Sequence, residues 1–254
     1  MTLLDALDDP ALFAPAFPRP HWNAWRAFCA ALYGLDMSEA DRALYAAATG
    51  RQTPPTARAK EGWVICGRRS GKSRCASVIA AHVAALADVS KLVPGETGVV
   101  LICAASKRQA AVVYNYVRAL FADVPSLRPL VAGEAASEDV KILDLRHRTR
   151  IEVRSASFRL VRGMTLLCAI IDEVAFLRDE SSAIPDVELV RALKPALLTT
   201  NGLLLGLSSP WAQPNASHTP ALRRLRVALT SWSAARSGIE SWGMPSESAL
   251  WRTQ

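Results

Sequence analysis

The chain has 254 residues, half of them hydrophobic, and a formal net charge of +7 with a pI near 9.5. This composition excludes global disorder, leaves room for one large folded domain and favours a polyanionic partner. No apolar run approaches the about 18 residues of a membrane-spanning helix, and Asp5, Asp8 and Asp9 stand where a signal peptide has Lys or Arg, so we expect a cytoplasmic protein without a membrane partner.

Residues 1–60 are predicted to form a helical lead-in that ends in a basic linker. The first 20 residues are rich in proline and are expected to be extended. Aromatic residues at helical spacing predict a helix over about 21–34, and Ser38 with Asp41 predicts the start of a second helix that ends at Gly50. Phe17, Trp22 and Trp25 could stack on an adenine, but this spacing is more typical of core residues. The five cysteines have no CxxC spacing and are expected to be buried free thiols.

Residues 61–211 alternate between apolar strands and helices. This alternation predicts a mostly parallel α/β sheet covered by helices on both faces, in which ligands bind at the carboxyl ends of the strands. The predicted strands are Val64–Cys66, Val99–Cys103, Leu166–Ile171 and Leu203–Leu207, with a hairpin of Val140–Leu145 and Arg150–Ser155. The predicted helices are Ser73–Ala87, one from Ser106 to about Phe121, and Asp186–Thr200.

A glycine-containing turn follows the first of these strands and opens a helix. This arrangement holds triphosphates, because backbone N–H groups and the helix dipole attract phosphate oxygens, while Lys72 reaches the β- and γ-phosphates and Ser73 can ligate Mg²⁺. Cys66 occupies the position of the first glycine in the full pattern, and the first glycine comes one residue later. The candidate ATP-binding residues are Gly67, Arg68, Arg69, Ser70, Gly71, Lys72 and Ser73.

Two further strands end in polar residues. Leu166–Ile171 leads directly into Asp172 and Glu173, and buried carboxylates at a strand end are costly unless they have a function. In P-loop ATPases the first acid holds Mg²⁺ and the second polarises the attacking water. Leu203–Leu207 leads into Ser208, Ser209 and Pro210, which could sense the γ-phosphate or could form a plain turn.

A basic segment lies at residues 141–162, which contain seven Lys and Arg residues and only two acids. Two interpretations stay open. The segment could be a solvated hairpin face, or some of its side chains could contact DNA phosphates or the nucleotide of a neighbouring subunit.

Taken together, these motifs resemble the ATPase domain of the large terminase subunit, the DNA-packaging motor of tailed bacteriophages. The resemblance covers roughly residues 15–212 and rests on CGRRSGKS, SFRLVRG at 157–163, AIIDEVAFL, LLLGLSSPW and the aromatic lead-in HWNAW. The substituted first glycine fits, since terminases tolerate it and favour Arg at the position of Arg68. The resemblance implies a P-loop NTPase fold of the ASCE type.

The resemblance also implies roles for individual residues. Lys72 and Ser73 would bind phosphate and Mg²⁺, Asp172 would be the Walker B acid that holds Mg²⁺, and Glu173 would be the catalytic carboxylate. Ser208, Ser209 and Pro210 match the coupling motif, and Arg162 matches an arginine finger supplied in trans. The implied cofactors are ATP and Mg²⁺. The implied partners are double-stranded DNA, the terminase small subunit, the portal and procapsid, and further copies of the chain in a ring, in the cytoplasm of a bacterial host.

Residues 212–254 form a short basic tail where the family continues into a nuclease domain. Its only acids are Glu240 and Glu247, so we expect no DNA cleavage, a possible helix over 216–236 and otherwise little structure.

Two alternatives to a packaging motor stay open. One is a helicase-like, nucleic-acid-stimulated P-loop ATPase, although Val174 and Ala175 follow the acid pair where helicases often have a further Asp or His. The other is a prophage remnant that binds nucleotide or DNA without catalysis.

Overall fold

The computed structural model describes residues 1–90, 92–155, 163–177, 185–209 and 250–253. Its helices are α1 (Leu3–Asp8), α2 (Asn23–Tyr33), α3 (Glu39–Thr49), α4 (Lys72–Leu86), α5 (Lys107–Asp123) and α6 (Pro185–Leu198), with short 3₁₀ turns at Arg128–Leu130 and Val174–Phe176. Its strands are β1 (Glu61–Ile65), β2 (Gly98–Ala104), β3 (Val131–Ala136), β4 (Val140–Leu145), β5 (Thr149–Ser155), β6 (Thr165–Asp172), β7 (Leu203–Ser208) and β8 (Leu250–Thr253).

The strands form one sheet in the order β3-β4-β5-β2-β6-β7-β1-β8. The five strands from β5 to β1 are mutually parallel, whereas β3–β4, β4–β5 and β1–β8 are antiparallel pairs. Ile65 at the end of β1 pairs with Ser208 of β7, and Leu207 of β7 pairs with Asp172 of β6. Three strand ends therefore lie side by side at one edge of the sheet, and the loops that leave them share one surface.

Helices cover both faces of the sheet, which confirms the predicted mostly parallel α/β architecture. One face packs against α4 and α5 and against the lead-in helices α1 to α3, in a core that includes Phe28, Ile79, Phe121 and Ile170. The other face packs against α6 and the 3₁₀ turn after β6, in a smaller core. The strands between these layers are apolar on both sides, which is why β2, β6 and β7 appear in the sequence as continuous hydrophobic runs.

The lead-in begins with a helix that the sequence analysis missed. Residues 1–20 were expected to be extended, but α1 forms because Thr2 and Asp5 make a reciprocal capping box and Leu3 and Leu7 are buried. The two other lead-in helices are confirmed: Ser38 accepts a hydrogen bond from the Asp41 backbone N–H at 3.1 Å, and α3 ends at a left-handed glycine.

The edges of the sheet hold the two strands that were not predicted. The hairpin of β4 and β5 is confirmed, and β3 adds to it although its sequence, VAGEAA, has little β propensity and is largely exposed. Four residues of the segment 212–254 form β8, which pairs with β1. The helix predicted over 216–236 lies outside the described residues. All five cysteines are buried and free, as expected.

Candidate nucleotide-binding site

The turn between β1 and α4 contains two residues in the left-handed backbone region. Arg69 and Gly71 both have positive φ, at 63° and 92°, and Gly71 is the N-cap from which α4 starts. The Cys75 N–H donates to the Gly71 carbonyl at 2.9 Å, so the helix begins one residue earlier than predicted. Arg68 and Arg69 are exposed on the turn. The positive end of the helix dipole therefore points into the space that the turn encloses.

Cys66, at the position of the missing first glycine, is fully buried beneath the turn. Its backbone N–H donates to the Ser208 carbonyl at 3.0 Å, and its Sγ accepts a hydrogen bond from Ser70 Oγ at 3.0 Å. Burial raises the pKa of the Cys66 thiol to about 11, so the side chain stays neutral. A cysteine is tolerated here because its side chain packs into the turn.

Lys72 is the buried cation at the centre of the site. Its Nζ donates to the Gly67 carbonyl at 3.0 Å and to Ser209 Oγ at 2.9 Å, and lies 3.5 Å from Glu173 Oε1. Only 6% of the side chain is exposed. A buried ammonium is retained only with such partners, and every one of them is an oxygen that a phosphate could replace.

Ser73 and Asp172 meet although 99 positions separate them in the sequence. Ser73 Oγ donates to Asp172 Oδ2 at 3.0 Å. Gln109, from the first turn of α5, contributes a third group: its Nε2 donates to Asp172 Oδ2 at 2.9 Å and to Ser73 Oγ at 3.2 Å. No sequence motif had pointed to Gln109.

The environment of Asp172 fits a divalent cation. The residue is fully buried, and burial raises the pKa of its carboxyl group against the opposing effect of the hydrogen bond from Gln109. Its Oδ1 is buried without a hydrogen-bond partner among the described residues, a costly state that a bound cation would relieve. No three His, Cys, Asp or Glu side chains of the described residues gather into a metal site. Mg²⁺ does not need such a cluster, since it binds one or two protein oxygens and substrate phosphates.

Glu173 is held in a strained backbone conformation beside the end of β7. Its φ of 58° and ψ of 51° are left-handed, which is uncommon for a residue other than glycine, and such strain concentrates at functional sites. The Ser209 N–H donates to Glu173 Oε2 at 2.8 Å, and Ser209 Oγ donates to Oε1 at 3.0 Å. Ser208 Oγ accepts from the Ala175 N–H at 3.1 Å. The two serines therefore tie β7 to the loop that follows β6.

The lead-in supports the glycine turn from outside. Trp25 Nε1 donates to the Ser70 carbonyl at 2.7 Å. The Trp22 ring covers Gly71 so closely that a Cβ on the glycine would lie 2.6 Å from it, while the Arg74 guanidinium stacks 4.9 Å from the Trp22 ring centroid. Both tryptophans are buried in the core, as their helical spacing indicates, and the hydrogen bond of Trp25 to the turn is a contact that spacing did not predict.

The structure thus brings together most of the predicted site residues. The turn residues 67–73, the acid pair Asp172 and Glu173, and the serines Ser208 and Ser209 lie together at the ends of β1, β6 and β7. Arg162 and Pro210 lie outside the described residues, as does most of the segment 157–163, so their roles stay predictions. No helix of the described residues is long and apolar enough to cross a membrane.

Comparison with known proteins finds a similar fold among solved structures. No protein-family model and no curated protein sequence matches the chain. Among solved structures it is similar to the HK97 bacteriophage large terminase, with 19% identity and a TM-score of 0.51 over 81% of this chain and 36% of that one. It is also similar to the large terminase ATPase domain of Thermus phage P74-26, with 24% identity and a TM-score of 0.42 over 73% of this chain and 69% of that one. The chain therefore spans about a third of the HK97 protein, and over that length it shares the fold of that large terminase.

Proposed function

We propose that this chain is a magnesium-dependent ATPase that drives double-stranded DNA into a phage procapsid. The observation that supports this most strongly is the meeting of Lys72, Ser73, Asp172 and Glu173 at the ends of neighbouring parallel strands. Neither the strand order nor the burial of the core requires an ammonium, a hydroxyl and two carboxylates at one point. Phosphoryl transfer from a nucleotide does require them.

The glycine turn and the first turn of α4 form the phosphate site. Their free N–H groups and the helix dipole hold the β- and γ-phosphates. Lys72 exchanges its bonds to the Gly67 carbonyl and Ser209 for bonds to phosphate oxygens, and its charge stabilises the negative charge that spreads over the transferred group. The Trp25 indole keeps the Ser70 carbonyl turned away from the phosphates.

Ser73 and Asp172 are the groups that would hold Mg²⁺, Ser73 through its hydroxyl oxygen and Asp172 through the unpartnered Oδ1 or a water bound to it. A bound Mg²⁺ neutralises phosphate charge and fixes the nucleotide. Glu173, whose Oε1 lies 3.5 Å from Lys72 Nζ, orients the attacking water and accepts its proton. Ser209, bonded to both Lys72 and Glu173, is placed to report loss of the γ-phosphate to β7.

The remaining parts of the proposal come from the likeness to phage large terminases. Arg162 supplies positive charge to the nucleotide of a neighbouring subunit in a ring, and Ser208, Ser209 and Pro210 couple hydrolysis to movement. Some of the basic residues of 141–162 contribute to DNA binding. The small subunit, the portal and the procapsid are the partners, in the cytoplasm of the bacterial host.

The decisive experiment compares ATP hydrolysis by the full chain and by Glu173→Gln, with and without double-stranded DNA. Loss of the base should reduce kcat by about 10²–10⁴-fold while nucleotide still binds. Glu138→Gln is the matched control, since it makes the same change at an exposed acid outside the site. Turnover that is equal in the wild type and Glu173→Gln would refute the ATPase assignment. DNA uptake that depends on procapsids then separates a packaging motor from another DNA-stimulated ATPase.

A further inference from the structure

Gln109 is a side chain of α5 that enters the candidate site. It lies in the first turn of the helix, directly after β2, and β2 is the neighbour of β6 in the sheet. Its Nε2 carries two hydrogens, and two acceptors lie within reach: Asp172 Oδ2 at 2.9 Å and Ser73 Oγ at 3.2 Å. Together with the bond from Ser73 to Asp172, these contacts form a closed triangle.

The triangle determines which atoms stay free. The Ser73 hydroxyl hydrogen points to Asp172, and Gln109 occupies one of its two lone pairs, so one lone pair is left. Asp172 Oδ2 accepts two hydrogen bonds, while Oδ1 has no partner among the described residues. The amide thereby leaves one hydroxyl lone pair and one carboxylate oxygen available for a further ligand.

The neutrality of the amide matters as much as its position. An arginine or lysine at this position would also fix the carboxylate, but its charge would repel a dication at close range. A carboxamide donates a hydrogen bond to Asp172 and adds no net charge.

We propose that Gln109 is a positioning residue for magnesium: it holds Ser73 and Asp172 in the arrangement that receives the ion of a Mg·nucleotide complex. This inference rests on the proposed nucleotide-binding function and deepens it. Groups that orient metal ligands through hydrogen bonds typically contribute 10–100-fold to metal affinity. Gln109 itself touches neither the nucleotide nor the ion in this proposal.

The test is a binding titration that does not depend on turnover. A fluorescent ADP analogue is bound to the full chain in EDTA and then at increasing MgCl₂, and direct binding of Mn²⁺ is followed by electron paramagnetic resonance. Gln109→Met keeps the side-chain length but removes the donor, and Gln109→Ala removes both. Asn115→Ala is the matched control, because it truncates an exposed amide on the same helix, about 9 Å further along its axis.

We expect both Gln109 variants to need about tenfold more Mg²⁺ or Mn²⁺ for half-saturation, with nucleotide affinity in EDTA within twofold of the wild type. Asn115→Ala should titrate like the wild type. Gln109 variants that match the wild type in Mg²⁺ and Mn²⁺ titration would overturn the inference, as would equal weakening with and without metal. If Gln109→Ala does not fold, Gln109→Met decides. A wild-type chain that binds no nucleotide even with Mg²⁺ would instead refute the proposed function.

Discussion

The contact between Gly71 and Trp22 permits a quantitative test of how the lead-in shapes the phosphate loop. Gly71 has a φ of 92°, and a Cβ added to it would lie 2.6 Å from the Trp22 ring. Gly71→Ala therefore has two costs. The left-handed backbone costs a non-glycine residue roughly 1–2 kcal/mol, and forcing a methyl group against a packed ring costs a further 1–3 kcal/mol or so.

Gly95 allows the two costs to be separated. Its φ of 88° is nearly the same, but a Cβ there would meet nothing within 4 Å. Gly95→Ala should therefore lower the free energy of unfolding only by the cost of the left-handed backbone. Both variants also gain the same stability from a less flexible unfolded chain. We expect Gly71→Ala to be less stable than Gly95→Ala by about 1–3 kcal/mol.

Trp22→Leu completes the test as a double-mutant cycle. The smaller side chain removes the ring from above the turn, so the steric part of the Gly71→Ala cost should disappear in the double variant, giving a coupling of about 1–3 kcal/mol. The free energies come from urea unfolding of the full chain, and nucleotide affinity is measured in parallel. The reasoning is refuted if Gly71→Ala and Gly95→Ala cost the same, or if the effects of Gly71→Ala and Trp22→Leu are additive.

Three further predictions concern Trp25, Ser209 and the buried thiols. Trp25→Phe removes the indole donor to the Ser70 carbonyl and should weaken nucleotide binding several-fold at a stability cost of about 1 kcal/mol, and unchanged nucleotide affinity would contradict a role in shaping the turn. Ser209→Ala removes the hydroxyl donor to Glu173 and should lower kcat about tenfold with the nucleotide Kd within twofold, whereas a change in Kd alone would indicate a binding role. Raised thiol pKa values predict alkaline destabilisation: above the unfolded pKa of about 8.5 the unfolded chain releases thiol protons that the folded chain retains, so stability falls as pH rises. Urea midpoints between pH 7.5 and 10 test this, and a profile that does not change with pH would contradict it. Replacing Cys66, Cys103 or Cys168 by Ala should make the midpoint fall less steeply as pH rises. Burial raises the pKa to about 11 for Cys66 and to about 12 for Cys103 and Cys168.

The sequence was sufficient for the parts of the fold that local patterns encode. Continuous apolar runs identified β2, β6 and β7, because strands covered on both faces need apolar side chains at every position. Capping residues located α3 and α5. In contrast, β3 has almost no local signal, since its residues are held by pairing with β4 rather than by propensity. The α1 helix was missed because the prolines that follow it indicate an extended chain, whereas the capping box at Thr2 is a short local signal.

The candidate site divides in the same way. The glycine turn and the acid pair were predicted because the residues that carry their chemistry are adjacent in the sequence. Gln109 and Trp25 were not, because they act through hydrogen bonds to residues that are distant in sequence. Such contacts depend on which strand ends become neighbours, and a pattern along the chain contains no information on that. It is because β2 lies next to β6 in the sheet that the first turn of α5 comes close to Asp172.

The position of β7 explains why a single residue can connect the two halves of the site. β7 lies between β1, which leads into the glycine turn, and β6, which leads into the acid pair. Ser209, one residue beyond its end, accepts from Lys72 and donates twice to Glu173, so neither side chain can move without changing the bonds of the other. We expect a phosphate bound at the turn to draw Lys72 away from Ser209 and to free that hydroxyl. Because Ser208 is bonded to the loop after β6, the same change should also reach the Glu173 backbone. In the proposed function, a nucleotide at the turn would therefore be sensed at Glu173 through β7.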